Sequence, residues 1–272
     1  MRRMIIIALS GVAGLALSIT GAQASVVVPG KPSVKIPGNN THRPAFDVRP
    51  SNTQANGIKI VYNGNWSGYV ATGTKFKYVV GSYSVPSVNC SVTPSSFSYH
   101  WVGLDGASDG TVEQDGIGSF CNGSTPYYFA WAWMYPNPGE LTSFTVNPGD
   151  SITSSVYYAS GVYTLKLTDQ TTGQKFDVTS SGAYNNSSAE AITEGYPTTG
   201  ENGTADFGEE HYDTIKVTDS AGKAGGLSSS NWSTDEFIAE DSSGSVDTQP
   251  GPLYTASPPA QSAFEITWER ED

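Results

Sequence analysis

Basic residues are scarce in this sequence. Fourteen lysines and arginines stand against 26 aspartates and glutamates, a net charge of −12 over 272 residues. A nucleic-acid binder neutralises phosphates with a basic surface, so that class is disfavoured, and so is attachment to an anionic membrane. Histidine occurs three times and cysteine twice. His42, His100 and His211 are scattered and no His-Glu-x-x-His string occurs, which removes the common zinc peptidase geometry. Cys90 and Cys121 lack the close Cys-x-x-Cys spacing of a zinc site, and no Gly-rich phosphate loop follows a strand, so neither a metal nor another cofactor is expected. Long apolar runs are missing after residue 24, and no helical period persists beyond a turn or two.

What is present is turn and strand chemistry. Glycine supplies 30 positions, proline 16 and tyrosine 15, a composition suited to short strands joined by many turns. Residues 1–24 read as a secretory signal peptide: Arg2 and Arg3, an apolar stretch from Ile5 to Ile19, and Ala22-Gln23-Ala24 as a small-x-small cleavage site. The protein is therefore expected to be exported and extracellular. Residues 25–58 form a proline-rich arm with Pro29, Pro32, Pro37, Pro44 and Pro50, which predicts an extended propeptide or linker rather than a ladder. The first 50 residues carry six bases and one acid, leaving eight bases and 25 acids beyond, so a basic arm precedes an acidic domain over 59–272.

From residue 59 the pattern alternates with period two, broken every eight to twelve residues. Strands are predicted over 69–71, 76–85, 99–104, 111–117, 127–135, 143–146, 151–159, 162–169, 175–179, 190–192, 214–218 and 262–268. Asn147-Pro148-Gly149-Asp150 and Thr171-Thr172-Gly173-Gln174 are turn signals, whereas 222–230 and 240–252 read as long surface loops. So many strands without helices imply an all-β fold, with two packed antiparallel sheets or a closed barrel as the ways to bury a sheet face. In an exported chain the cysteine pair predicts a Cys90–Cys121 disulfide.

Catalytic chemistry narrows by exclusion. Gly106-Ala107-Ser108-Asp109-Gly110 matches a nucleophile-elbow string, but a β-type run follows where the elbow requires a helix. The aspartic-dyad Asp-Thr/Ser-Gly pair is missing. Carboxylates and amides in aromatic surroundings remain: Trp101 to Gly106, Val112-Glu113-Gln114-Asp115-Gly116, Trp131 to Pro136 and Ala189 to Glu194. In strand geometry Trp131, Trp133 and Tyr135 share one face, as do Glu190, Ile192 and Glu194.

These strings carry a resemblance. Asn65-Trp66-Ser67-Gly68-Tyr69, Gly81 to Pro86, Trp101-Val102-Gly103-Leu104-Asp105-Gly106, Gln114-Asp115-Gly116, Trp131 with Tyr135-Pro136, Thr171 to Gln174, and Ala189-Glu190 followed by Glu194 occur in an ordered series. The series resembles the glutamic peptidases, or eqolisins, formerly grouped as A4. The resemblance implies a lectin-like two-sheet β-sandwich and an acid endopeptidase using a Gln/Glu pair, with no covalent intermediate and no metal. It assigns the pair to Gln114 and Glu194, a substrate-cleft tryptophan to Trp131, a buried supporting aspartate to Asp105, and cleft or support roles to Trp101 and Glu190. Polypeptides would be the partners of a monomeric enzyme. Two departures stand out: Phe129 and Trp133 occupy positions two before and two after Trp131 where the family commonly has acids. The competing readings are a carbohydrate-binding or glycan-hydrolysing β-sandwich, on which exposed aromatics would stack sugars, and a non-catalytic relative of the peptidase.

Overall fold

The alternation read from the sequence becomes an all-β architecture. The computed structural model describes residues 25–26, 34–35, 43–137, 141–195, 203–256 and 261–269, so the predicted signal segment, most of the arm and His42 lie outside the described residues. In chain order the strands are β1 (Ser25–Val26), β2 (Val34–Lys35), β3 (Arg49–Thr53), β4 (Lys59–Asn63), β5 (Trp66–Thr72), β6 (Phe76–Ser84), β7 (Phe97–Leu104), β8 (Val112–Asn122), β9 (Thr125–Tyr135), β10 (Leu141–Thr142), β11 (Ser151–Ala159), β12 (Val162–Asp169), β13 (Lys175–Ser181), β14 (Ala189–Glu194), β15 (Glu209–Asp219), β16 (Ala224–Gly225), β17 (Ser233–Glu240), β18 (Val246–Pro250), β19 (Tyr254–Ala256) and β20 (Gln261–Trp268). Among the described residues there is no helix, and so none long and apolar enough to cross a membrane.

Apart from a two-stranded pairing of β1 with β2, two sheets follow from the pairings. The first runs β10-β9-β8-β7-β14-β5-β17-β4, with β3 on its edge. The second runs β13-β12-β11-β6-β15-β20. Strand β18 pairs with both β17 and β20 and joins the two sheets along one side. Pairing is antiparallel except between β4 and β17. The result is the expected β-sandwich, bent nearly into a barrel.

Alternation decides which side chains meet. Val79, Val156, Leu165 and Ile215 of the second sheet pack with Val102, Ile117, Ala130 and Ala191 of the first, forming the inter-sheet core. The other face of the first sheet has its own apolar layer, including Trp66, Tyr99, Trp101, Trp131 and Ile192. With both faces covered, β14 is buried along its whole length. Burying apolar surface at about 25 cal/mol per Å² makes these two layers the main source of stability. The Cys90–Cys121 disulfide forms as expected and ties the segment before β7 to the end of β8.

Several expectations need correcting. Residues 143–146 are not a strand: only Leu141–Thr142 pairs with β9, and the next residues continue through single backbone bonds such as Ser143 N–H to Ala130 C=O. The stretch 240–252 is not all loop. An Asp241–Ser245 turn with Gly244 at φ +88° leads into β18, whose inward residues Asp247 and Thr248 are polar and leave no apolar alternation to read. Within 222–230, Leu227 is fully buried and its carbonyl accepts from Trp232 Nε1–H and Thr234 Oγ1–H. The arm does join a ladder at Arg49–Thr53, since Pro50 is tolerated on an edge strand. The two turn signals at Gly149 and Gly173 hold, with φ +87° and +76°.

Candidate active site

Four adjacent strands, β14, β7, β8 and β9, bring the predicted site residues onto the aromatic face of the first sheet. Their registers define three cross-strand rows. The first runs Glu190–Gly103–Gln114–Trp133. The second runs Ile192–Trp101–Gly116–Trp131, and the third Glu194–Tyr99–Gly118–Phe129. Gln114 and Glu194 thus share a face, with one strand, β7, and one row between them. Flat-sheet spacing puts their Cα atoms about 16 Å apart, and those of Gln114 and Glu190 about 10 Å apart. Trp101 and Trp131 occupy the row between Gln114 and Glu194.

Glycines make the rows possible. A Cβ on Gly116 would lie 2.2 Å from the His100 carbonyl oxygen and 2.6 Å from the Trp101 Cβ. A Cβ on Gly118 would lie 2.5 Å from the Phe129 ring. The rings of Tyr99 and Trp131 meet edge to face at 5.8 Å, and Trp66 meets Trp101 the same way at 5.0 Å. The two departures lie in the rows of the two predicted catalytic residues: Trp133 pairs with Gln114, and Phe129 ends the row of Glu194. Trp133 is half-buried, donates Nε1–H to the Asn137 carbonyl and packs against Tyr135.

Asp105 ends β7 in a left-handed conformation, φ +70°. Its carboxylate accepts the backbone N–H of Asn186 at 2.7 Å and of Ser187 at 2.5 Å, tying the end of β7 to the entrance of β14. Around it lies a cluster of carboxyls. Burial, reinforced by the neighbouring Asp105, pushes Glu113 up to about 10. Burial also raises Asp105, to about 6, against the lowering effect of the Ser187 and Asn186 N–H groups. Glu190 is raised well above the usual carboxylate range by burial, then by the charges of Asp105, Asp109 and Glu113, with Ser188 opposing. Burial thus favours the neutral form of both Glu113 and Glu190.

Glu194 sits in a different setting. Asn65 Nδ2–H donates to its Oε1 at 3.0 Å, and both residues are fully buried. Gln114, Trp101, Trp131 and Glu190 are fully buried as well. Part of what covers this region is the arm. The Arg43 carbonyl accepts from Trp66 Nε1–H at 3.1 Å and from Asn65 Nδ2–H at 3.3 Å. Ala45 N–H donates to the Gly106 carbonyl, and Phe46 N–H to Asn65 Oδ1. Arg49 forms an ion pair with Glu240, as the opposite charges of arm and domain lead one to expect.

Neither of the described histidines takes part. His100 points from the opposite face of β7 to Thr193 Oγ1 at 2.9 Å, and burial lowers it to about 3, so it is a neutral core residue. His211, with Glu209 and Glu265, is exposed; these three could approach a cation, but they pair with one another on strands of the second sheet. Ser108 lies in an exposed turn followed by a strand, which closes the nucleophile-elbow option. Sequence reasoning missed Asn65 as a partner of Glu194; the Asn63-Gly64-Asn65 turn string was its only signal. It also left Glu113 and Asp115 without roles. Asp115 faces the inter-sheet core, where burial raises it well above the carboxylate range.

Residues 64–249 match the family described as the Peptidase A4 family. Aspergillopepsin-2 of Aspergillus niger is 30% identical over 194 residues, 60% of this chain and 67% of that protein. Scytalido-glutamic peptidase, solved with a peptide-based transition state analog, superposes with a TM-score of 0.61 at 24% identity, over 76% of this chain and 98% of that one. Aspergilloglutamic peptidase from Aspergillus niger gives 0.52 at 24% identity, over 64% and 99%. At these identities the solved structures establish the shared fold.

Proposed function

The chain belongs to the peptidase A4 family and is a hydrolase of peptide bonds, and we propose that it works as an acid endopeptidase through Gln114 and Glu194. The reading is carried by one observation: an amide and a carboxylate share the aromatic face of a single sheet, with the Trp101–Trp131 row between them.

In this mechanism ionised Glu194 takes a proton from a water as it attacks the scissile carbonyl, then returns that proton to the leaving amine. Gln114 orients the water through its amide oxygen and donates N–H to the developing oxyanion, a contribution on the order of 3 kcal/mol for one such donor. No covalent intermediate forms. Acid conditions favour the reaction because the leaving nitrogen needs a proton while Glu194 must remain ionised. Trp101 and Trp131 form the floor of the cleft, Glu190 lines it as a neutral group, and Asp105 supports it by fixing the start of β14.

We further propose that residues 1–24 direct export and that residues 25–58 serve as a propeptide rather than a simple linker. The contacts of Arg43 to Phe46 with Asn65, Trp66 and Gly106, beside Glu194, favour the propeptide reading. The test of the activity is hydrolysis of acid-denatured protein between pH 2 and 5 in the presence of pepstatin, with β-glucan as a parallel substrate. Release of peptides supports the reading. Release of sugar, or no hydrolysis at all, overturns it in favour of a glycan-directed or non-catalytic protein.

A further inference from the structure

We propose that Asn65 is a positioning residue for Glu194, holding that carboxylate oriented and ionised while offering its second amide hydrogen to the carbonyl of a chain lying in the cleft. The inference rests on the assignment of Glu194 as general base.

Asn65 is built into a rigid turn between β4 and β5. The Asn63 Oδ1 accepts the backbone N–H of Asn65 at 3.1 Å and of Trp66 at 2.7 Å, while its Nδ2–H groups donate to the carbonyls of Trp66 at 2.7 Å and Ile238 at 3.1 Å. Both asparagines are fully buried. The Asn65 side chain is therefore aimed before any ligand arrives. Its Nδ2 has two hydrogens. One reaches Glu194 Oε1 at 3.0 Å; the other faces the Arg43 carbonyl at 3.3 Å and, less closely, that of Pro44 at 3.5 Å. Its Oδ1 accepts the Phe46 N–H at 3.2 Å. One side chain thus contacts the proposed base and reads donor and acceptor groups of an extended backbone beside it. A substrate chain entering after the arm leaves would find the same pair of groups.

The chemistry gives this contact a direction. An N–H donated to a carboxylate stabilises its charged form. Among the described residues, Glu190 on its own strand and Tyr99 opposite it on β7 share this face with Glu194, and the Arg43 backbone lies beside Asn65. Asn65 is the neutral donor at Glu194 Oε1.

The experiment compares pH profiles of kcat/KM for the wild-type protein, Asn65→Ala, Asn65→Asp and Glu194→Gln, with circular dichroism and thermal melts on each. Asn65→Ala should move the acid limb to higher pH and lower kcat/KM at the foot of that limb about ten-fold. The nearly isosteric Asn65→Asp keeps the packing but replaces the donor with a second carboxyl, and should move the limb the same way. If both variants stay folded with the wild-type limb, or lose activity evenly at every pH, Asn65 does not position Glu194. In that case an inactive Glu194→Gln leaves the base assignment standing. An active Glu194→Gln overturns both. Should Asn65→Ala fail to fold, Asn65→Asp decides, supplemented by a carbon-13 NMR titration of the Glu194 carboxyl identified through Glu194→Gln.

Discussion

Glu190 and Gln114 stand in one cross-strand row with only Gly103 between them. A Cβ added at Gly103 would lie 2.8 Å from the Trp101 ring, 3.0 Å from the Glu113 carbonyl oxygen and 3.1 Å from Glu190 Oε1. The missing side chain leaves space for the Trp101 ring and for Glu190 Oε1.

Gly103→Ala is therefore expected to act on both packing and turnover. Overpacking of this kind costs about 1–3 kcal/mol, and the displaced Trp101 should lower kcat. Thermal melts and steady-state kinetics on the same preparation check this. An unchanged melting temperature and unchanged kcat would show that the row is loose enough to admit a methyl group.

The buried carboxyls set a pH dependence of stability. Glu113 passes from an ordinary value of 4.5 to about 10 on folding, and Asp105 from 3.8 to about 6. Between those values the native state holds protons that the unfolded chain has released. Stability therefore falls as pH rises, by about 1.4 kcal/mol per unit for each such group, and is fully present only below about pH 4. Melting temperature should peak in the acid range and decline through neutrality, and Glu113→Gln should flatten that decline above pH 5. A melting temperature level or rising from pH 4 to 8 contradicts this assignment.

Fold class and most strand positions were legible because they depend on local alternation, whereas β4 and β17 were not among the predicted strands. The strands at 151–159 and 162–169 follow from Ile152, Val156, Tyr163, Leu165 and Leu167 pointing inward. The strand 246–250 was not legible, since its buried residues Asp247 and Thr248 are polar and leave no apolar alternation, although its partner β17 precedes it by only a short turn. The shared face of Glu190 and Glu194 could be read from period two alone. That Glu190, not Glu194, shares the row of Gln114 depends on register across β7, which no local pattern encodes. Asn65 was hidden for the same reason: it lies 129 residues from Glu194.

The disulfide closes a long loop and both cysteines are buried. Replacing Cys90 and Cys121 together by serine should destabilise the fold by about 3.7 kcal/mol, as loop entropy predicts for a 31-residue separation. Denaturant titration of the double variant measures this. A midpoint equal to the parent's contradicts it.

The arm makes a kinetic prediction. Acid incubation of the full-length chain should produce activity in step with loss of the residues preceding Asp47, because Arg43 to Phe46 occupy Asn65 and Trp66 beside Glu194. N-terminal sequencing run in parallel with the assay follows both. Full activity in a product that still begins before Arg43 would make the arm a linker.

In the proposed mechanism Glu194 is the base and Gln114 its amide partner, while Glu190 is a neighbour whose burial favours its neutral form. This mechanism is tested most directly by kcat/KM of Glu194→Gln beside Glu190→Gln, on an acid-denatured protein substrate at pH 2–5 with pepstatin present and the fold verified by circular dichroism. The account predicts a loss of at least about 10²–10⁴-fold for Glu194→Gln, the usual cost of removing a general base, and a shifted pH profile with retained turnover for Glu190→Gln. Wild-type activity in Glu194→Gln, or the large loss falling on Glu190→Gln instead, contradicts it.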